Sequence, residues 1–453
     1  MHRQIVAAAM LCGFLSTTTQ AAALRAGIAK VDITPATHEI MWGFEDRLTP
    51  ASSTLDPLFA RVLVLESGER RLAIVTLDLG RAFGPASMEA LKESARRTSG
   101  ISCLLAAASH THSAPVIRDE NKNGPPEWEG AALEKIERAI QDAASHLAPA
   151  RIGVGTGSVA VGHNRLRVEP DGSVAWFERN PDRKPTRPVD PTVTVIRVDS
   201  IDGAPMAILV NYACHPVVLG SDNQQYSADF PAAMARVIEQ EVPGKPTAFF
   251  VQGAPGDINP YYAVTKIQEG AVKWRDWTGE QLGHEAARVA KSIRTESNPN
   301  STLDTSEQLM TFQLRWDREK FKAALLKFLG PQGIELYGAP ISPEFQVPTA
   351  AVLINKRIAI ATFPGEPFVD FQINWRERCP VSTCIVMGYT NGYNGYFPTI
   401  LAASRNGYGA ASASTWLEVG AGERILNHAA IKVYDMLGRF SDLPDDLKRD
   451  VYK

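Results

Sequence analysis

Ser109-His110-Thr111-His112-Ser113 places two imidazoles and two flanking hydroxyls at the end of an apolar run, Cys103 to Ala108. Neutral imidazole is the commonest side-chain metal ligand. On extended chain, side chains at i and i+2 point the same way, so one histidine can bind a metal while the other faces the same cavity. The competing reading is a polar loop whose histidines hydrogen-bond locally. Partners elsewhere in the chain decide between the two.

A hydrolytic zinc site needs about three protein ligands and an open position for water. Beyond the N-terminal leader the chain offers His38, His110, His112, His146, His163, His215, His284 and His428. His146, in an amphipathic helical stretch, and His284 and His428, in charged ones, are expected at the surface. His110, His112 and His215 follow apolar strand-like runs, and His163 sits in the turn Gly162-His163-Asn164-Arg165. Pro364-Gly365-Glu366-Pro367 fixes a carboxylate at a strand-to-helix turn, suited either to a ligand or to a helix N-terminal charge. There is no His-Glu-x-x-His, which excludes the common helix-borne zinc protease site. There is no Gly-x-Ser-x-Gly elbow either, which weakens a serine hydrolase of the α/β-hydrolase type.

Six short apolar runs must position these residues: Leu72 to Leu77, Cys103 to Ala108, Met206 to Val210, Thr247 to Val251, Ile358 to Thr362 and Cys384 to Met387. They read as strands buried on both faces. Helix-period segments alternate with them at Ser87 to Arg97, Leu133 to His146, Ala228 to Gln240, Glu280 to Ile293 and Pro367 to Arg378, with a last helix near Glu423 to Leu437. The alternation predicts an α/β fold, mixed sheets sandwiched by helices, as one large domain over residues 24–453. Functional residues of open α/β sheets gather at the carboxyl ends of strands. Here those ends carry Asp78, His110, His215, Asp257, Glu366 and Tyr393. Loops are polar in any case, but that does not account for ligand-type residues recurring in this position. Glu169 to Pro191 reads as an excursion able to fold over the site, Glu296 to Thr305 as a connector, and Tyr389 to Tyr408 as a long loop. No internal repeat is legible.

Composition sets outer limits. At 453 residues, 44% hydrophobic and 21% charged, the chain is of soluble globular type. A net charge of −3 with no basic block gives no electrostatic case for nucleic acid. His2-Arg3, the apolar stretch from Ile5 to Phe14 and Ala21-Ala22-Ala23 have the layout of a secretory signal peptide over residues 1–23, so the mature protein is expected in the periplasm or secreted. No later segment reaches the roughly 18 apolar residues of a membrane span; contact with a membrane surface stays open. Beyond Cys12 in the leader, Cys103 and Cys214 read as buried thiols, and Cys379 and Cys384 can close a small loop.

His-Thr-His after a strand, Asn211-Tyr212 with His215-Pro216, Gly256-Asp257-Ile258-Asn259-Pro260, Pro364-Gly365-Glu366-Pro367 and Asn391-Gly392-Tyr393-Asn394-Gly395-Tyr396-Phe397-Pro398-Thr399 occur in order. With Val31-Asp32-Ile33-Thr34-Pro35 and Asn164-Arg165, the set resembles the catalytic domain of the neutral/alkaline ceramidase family of zinc-dependent amidases, over about Ala26 to Phe440. The C-terminal β-sandwich domain of full-length ceramidases has no counterpart in this sequence.

The resemblance implies a Zn²⁺ held by His110, His215, Glu366 and Tyr393, with Tyr396 as the alternative for the last. It implies that His112 lines the site as a proton-transfer residue, and that Arg165 faces a small-molecule or lipid amide substrate. The family's serine in Gly-Asp-x-Ser-Pro is Asn259 here. An amide side chain cannot form an acyl-enzyme, so a serine mechanism is closed and a metal-activated water remains. Arg165, His112 or Asn259 would stabilise the oxyanion, and His112 or Asp257 would handle protons. Asp257 has a plain alternative as a carboxylate capping its own turn. The rival functions are hydrolysis of another amide or ester, and binding without catalysis.

Overall fold

The computed structural model of the protein describes residues 23–120, 125–338 and 341–440; the leader expected over residues 1–23 falls almost wholly outside them. Strands β1 (Arg25–Asp32), β2 (Phe59–Ser67) and β3 (Arg70–Leu77) pair antiparallel in sequence. Helix α1 (Pro85–Ser99) crosses over to β4 (Cys103–Ala108), parallel to β3, and α2 (Glu127–Ser145) packs back on β1 and β2. A crossover helix is what a parallel pair requires, since a tight turn cannot join two strands running the same way.

That order then recurs. Strands β5 (Ala148–Ser158), β6 (Thr192–Ser200) and β7 (Pro205–Tyr212), helix α3 (Phe230–Glu241), strand β8 (Thr247–Gln252) and helix α4 (Ala271–Ser292) repeat the antiparallel, antiparallel, parallel sequence of pairings. It recurs again in β9 (Leu303–Gln313), an inserted helix α5 (Arg318–Tyr337), β10 (Glu344–Ile354), β11 (Ile358–Thr362), α6 (Val369–Arg378), β12 (Thr383–Met387), an inserted α7 (Ile400–Arg405) and α8 (Ala421–Met436). The expectation of no internal repeat is therefore corrected at the level of topology. Strand order and hand need only a hydrophobic pattern, which many unlike residues satisfy.

The first two units join edge to edge where Arg25 and Ala26 pair with Pro149 and Ala148, giving one sheet in the order β4-β3-β2-β1-β5-β6-β7-β8. The third unit forms its own sheet, β9-β10-β11-β12. Leu65, Leu72, Ile74 and Leu105 of the large sheet pack against Val352, Ile354, Ile360 and Met387 of the small one. Helices α1 to α4 cover the far face of the large sheet, and α6 and α8 that of the small one. The mixed α/β fold expected from sequence is thus a four-layer arrangement. Each fully buried Leu or Ile between layers contributes about 1.5–3 kcal/mol.

Hydrogen bonds stitch the three units together at the carboxyl ends of their parallel strands. The Asn391 side chain beyond β12 accepts from Ala106 N and donates to Leu104 O on β4, and Gln252 of β8 donates to Ser109 O and Cys214 O. The loops after the parallel pairs are thereby drawn to one place.

Several boundaries move. Helix α2 begins at Glu127 and α4 at Ala271, ahead of the expected starts; β9 begins inside the expected connector; and α7 lies within the Tyr389–Tyr408 loop. All four described cysteines are free, and Cys384 Sγ donates to Val381 O at 3.3 Å.

Asp78 closes the tip of β3. Its carboxylate accepts from Phe59 N at 2.9 Å and from Arg61 at 2.8 and 2.9 Å, with both side chains buried. This strand-end acid therefore braces the fold and does not enter the histidine cluster. Removing one partner of a buried ion pair leaves the other charge uncompensated, so Asp78→Ala should lower stability by about 3–5 kcal/mol. Urea unfolding measures this, and a loss below about 1 kcal/mol would remove Asp78 from that role.

Candidate metal centre

Each unit sends at least one donor to a common point. His110 follows β4 with φ 71°, in the left-handed region that costs a non-glycine residue energy. The conformation is held by His110 N donating to Leu79 O at 2.9 Å and by Nδ1–H donating to Gly80 O at 2.5 Å. His215 follows β7, and its backbone N and ring Nδ1 both donate to Ile258 O, at 3.0 and 3.1 Å. Glu366 follows β11. There a Cβ on Gly365 would lie 2.3 Å from Gly395 O, so only glycine lets the Tyr393–Tyr396 loop approach. A short parallel ladder pairs Glu366-Pro367 with Tyr396-Phe397.

The donor atoms converge. His215 Nε2 lies 3.0 Å and His110 Nε2 3.6 Å from Glu366 Oε2, and Tyr393 OH donates to Oε1 at 2.5 Å. One donor atom from each of His110, His215 and Glu366 lies within 4.8 Å of the others, and all three residues are buried. Both histidines commit Nδ1–H to backbone carbonyls, the support that orients metal-binding imidazoles. That leaves two Nε2 lone pairs facing a carboxylate, acceptors against an acceptor, an arrangement that a divalent cation reconciles. Two nitrogens, a carboxylate oxygen and a phenol oxygen suit zinc.

Charge states agree with that fit. Burial lowers the pKa of His110 and of His112, and brings His215 down to about 4, so the rings are neutral near pH 7. Burial alone would raise Glu366, but His110, His215 and Arg165 outweigh it and hold the carboxyl well below the usual range.

His112 lines the same cavity. Its Nε2 is 3.3 Å from His110 Nε2, its ring meets Phe44 edge-on at 5.0 Å, and its buried Nδ1 has no hydrogen-bond partner among the described residues. Gly43, at φ 98°, backs the ring so closely that a Cβ there would lie 2.2 Å from it.

Arg165, Asn259 and Asp257 lie behind the cluster. The strand Gly162–Asn164 pairs with Ile258–Pro260, and Arg165 N donates to Asp257 O at 2.9 Å. The Arg165 guanidinium donates to Asn259 Oδ1 at 3.0 Å, Gly256 O at 2.8 Å and Tyr396 OH at 2.8 Å, enclosed by the rings of Trp176, Tyr396 and Tyr408. Asn259 Nδ2 donates to Glu178 O at 3.0 Å, so the excursion Glu169–Pro191 does fold over this side. Neither Arg165 nor Asn259 lines the cavity. The Arg165 guanidinium is enclosed by aromatic rings and reaches the cavity through Tyr396. Asp257 accepts from Asn164 Nδ2 at 2.6 Å and Val369 N at 2.8 Å, so its carboxylate ties two other segments together rather than capping its own turn. His146 and His284 lie at the surface, as expected.

The cavity over the cluster measures about 820 Å³. Met88, Leu309, Leu325, Phe328 and Phe345 give it apolar walls, while His110, His112, Glu366 and Tyr393 line its metal-binding end. Sequence reasoning missed Trp42, which meets Tyr393 edge-on at 5.3 Å, and Tyr389, stacked on His110 at 4.2 Å. A tryptophan beside Gly43 and a tyrosine in a Gly-Asn-Tyr loop were the signals present.

Fold and cluster together define a class, an α/β protein built around a candidate divalent-metal centre under a large apolar cavity. The family described as neutral/alkaline non-lysosomal ceramidase, N-terminal, matches residues 24–272. The chain belongs to that family. The crystal structure of neutral ceramidase from Pseudomonas aeruginosa is similar with a TM-score of 0.71 and 17% identity, covering 94% of this chain and 76% of that one. A ceramidase complexed with C2 gives a TM-score of 0.72 and 19% identity, covering 94% and 78%. At these identities the likeness is one of fold. Glu366 and Tyr393 lie beyond the matched segment and enter through geometry.

Two outcomes follow from the site. His215→Ala and Glu366→Gln should each abolish stoichiometric metal in elemental analysis, with Tyr393→Phe weakening it more than Tyr396→Phe; unchanged metal in the first two would dismiss the cluster. The second concerns Asp257, whose pKa burial raises to about 7 from an ordinary 3.8. The folded chain therefore binds the extra proton between those values, and the stability Asp257 contributes falls as pH rises through about 7. The disadvantage of Asp257→Asn in urea unfolding should be largest at or below about pH 4, shrink as pH rises toward 7 and level off above it; growth with pH would contradict it.

Proposed function

We propose that the protein is a zinc-dependent amidohydrolase that cleaves the N-acyl amide bond of ceramide or a related lipid amide. The observation that carries this reading is the convergence of His110, His215 and Glu366 at one end of an apolar cavity that His112 also lines. His110, His215, Glu366 and Tyr393 would hold the metal. When bound, zinc lowers the pKa of a water to about 7 and polarises the scissile carbonyl.

The chain's own residues supply positioning and proton transfer. The apolar walls take the acyl portion and exclude water from the reacting carbonyl. His112, neutral and with Nε2 facing His110 Nε2 at 3.3 Å, accepts a proton at that nitrogen and returns it to the leaving amine. Arg165 acts through Tyr396, a cavity-lining phenol whose oxygen it holds by hydrogen bond. Asn259 supplies no nucleophile; it fixes Arg165. The leader layout of residues 1–23 supports export as part of this reading.

Purified protein should hydrolyse ceramide in preference to short N-acyl amides and simple esters, lose activity to a chelator, and regain it with zinc. His112→Ala should lower kcat about 10²–10⁴-fold while bound metal is retained. Full activity under chelation, or an unchanged kcat in that variant, would overturn the mechanism; preference for esters would move the substrate class.

A further inference from the structure

We propose that α5 docks the protein on an anionic lipid surface, with the cavity mouth beside the contact. For its purpose the inference rests on the lipid-amide reading; for its geometry it rests on α5.

From Arg318 to Leu329 the helix carries four cations, Arg318, Lys320, Lys322 and Lys327, against one anion, Glu319, in a chain whose net charge is −3. Phe321 and Leu325 are buried and anchor the helix, and Leu325, Phe328 and Leu329 wall the cavity. A step of about 100° per residue then turns Lys320, Ala323 and Lys327 outward, with Lys322 and Leu326 along one margin. Lys320, Lys322, Ala323, Ala324 and Lys327 are exposed, and Leu326 is 50% exposed. Among the described residues none forms an ion pair with Lys322 or Lys327.

Residues that both line the cavity and reach solvent mark its mouth. Leu309 is 63% and Phe328 38% exposed, so the mouth opens at the edge of α5. Exposed Leu and Phe flanked by lysines match a helix lying in a lipid interface, where the apolar side chains enter the acyl boundary and the ammonium groups meet phosphates. The cavity lining also carries Glu45 and Glu89, with Lys92 and the Arg81–Glu120 pair. Gly330, at φ 66°, ends the first helical stretch, and Leu336 packs with Trp42 and Val116, tying the helix back to the metal end of the cavity.

The test is co-sedimentation of the full chain with phosphatidylcholine vesicles, with and without about one-third phosphatidylglycerol, at low and high salt. Binding is expected to need phosphatidylglycerol and to weaken with salt. Each lysine near the surface is worth about fivefold in partitioning, so the Lys322→Glu, Lys327→Glu double variant should bind at least about 25-fold more weakly. Leu326→Ser should weaken binding without removing its salt dependence. None of these side chains lines the cavity, so kcat/KM on a soluble short-chain N-acyl amide should stay at the parent value. Equal binding to both vesicle types, or parent-like binding of the double variant, would overturn the docking. Vesicle binding as expected with no hydrolysis of any N-acyl amide would support the docking and overturn the amidase reading.

Discussion

The Glu366 carboxylate is the interaction on which the rest of this structure depends. It is an ionised group at 2% exposure, met by two imidazole nitrogens and a phenol. An uncompensated charge at such a depth costs several kcal/mol, more than the hydrogen bond from Tyr393 returns. Protonating the histidines would offset that charge, but burial works against it. A divalent cation satisfies all the groups at once, because it takes the lone pairs that otherwise oppose one another. The centre is thus built from groups that are individually unfavourable in a core and that a bound metal would make mutually consistent.

Three units of one topology explain how donors so far apart in sequence meet. A parallel pair ends both strands on the same side, and each unit has one such pair, β3/β4, β7/β8 and β11/β12. The carboxyl ends supply Asp78 and His110 from the first unit, His215 and Asp257 from the second, Glu366 and Tyr393 from the third. These six positions diverge in role. Asp78 and Asp257 brace backbone and side chains, while the other four form the cluster. The asymmetry arises because two units share one sheet and the third lies across it, so the loops meet as neighbours of unlike orientation.

The parallel strands were legible in sequence, and the reason is physical. Cys103–Ala108 is buried at every position, and a short unbroken apolar run is what burial on both faces selects. The antiparallel strands at the centre of the large sheet, where the first two units join, were not legible. Arg25–Asp32 mixes buried and exposed residues without clean alternation, and Ala148–Ser158 carries glycines at 153, 155 and 157 because Ile293, Val289 and Glu285 of the neighbouring segment press against them. Helix α5 was hidden by Gly330-Pro331, which reads as a break. The histidines, Glu366 and Tyr393 could be found because chemistry restricts their types. Tyr389 carried only the weak signal of a tyrosine in a Gly-, Asn- and Tyr-rich loop, which does not reveal its stacking on His110.

Asn259 shows why the motif alone understated this site. Read as a residue in the place of a nucleophile, it is only a loss. In the structure both ends of the amide are used, the oxygen accepting from Arg165 and the nitrogen donating to Glu178 O. One hydroxyl has a single proton to donate and could serve that second bond only by reaching farther than its shorter side chain allows. The amide therefore ties the excursion over residues 169–191 to the guanidinium, and through Arg165 to the Tyr396 hydroxyl at the cavity wall. What the chain gives up in nucleophilic chemistry at residue 259 it gains in a fixed positive charge behind the cavity, and under the proposed reading bond cleavage would fall to the metal centre and His112.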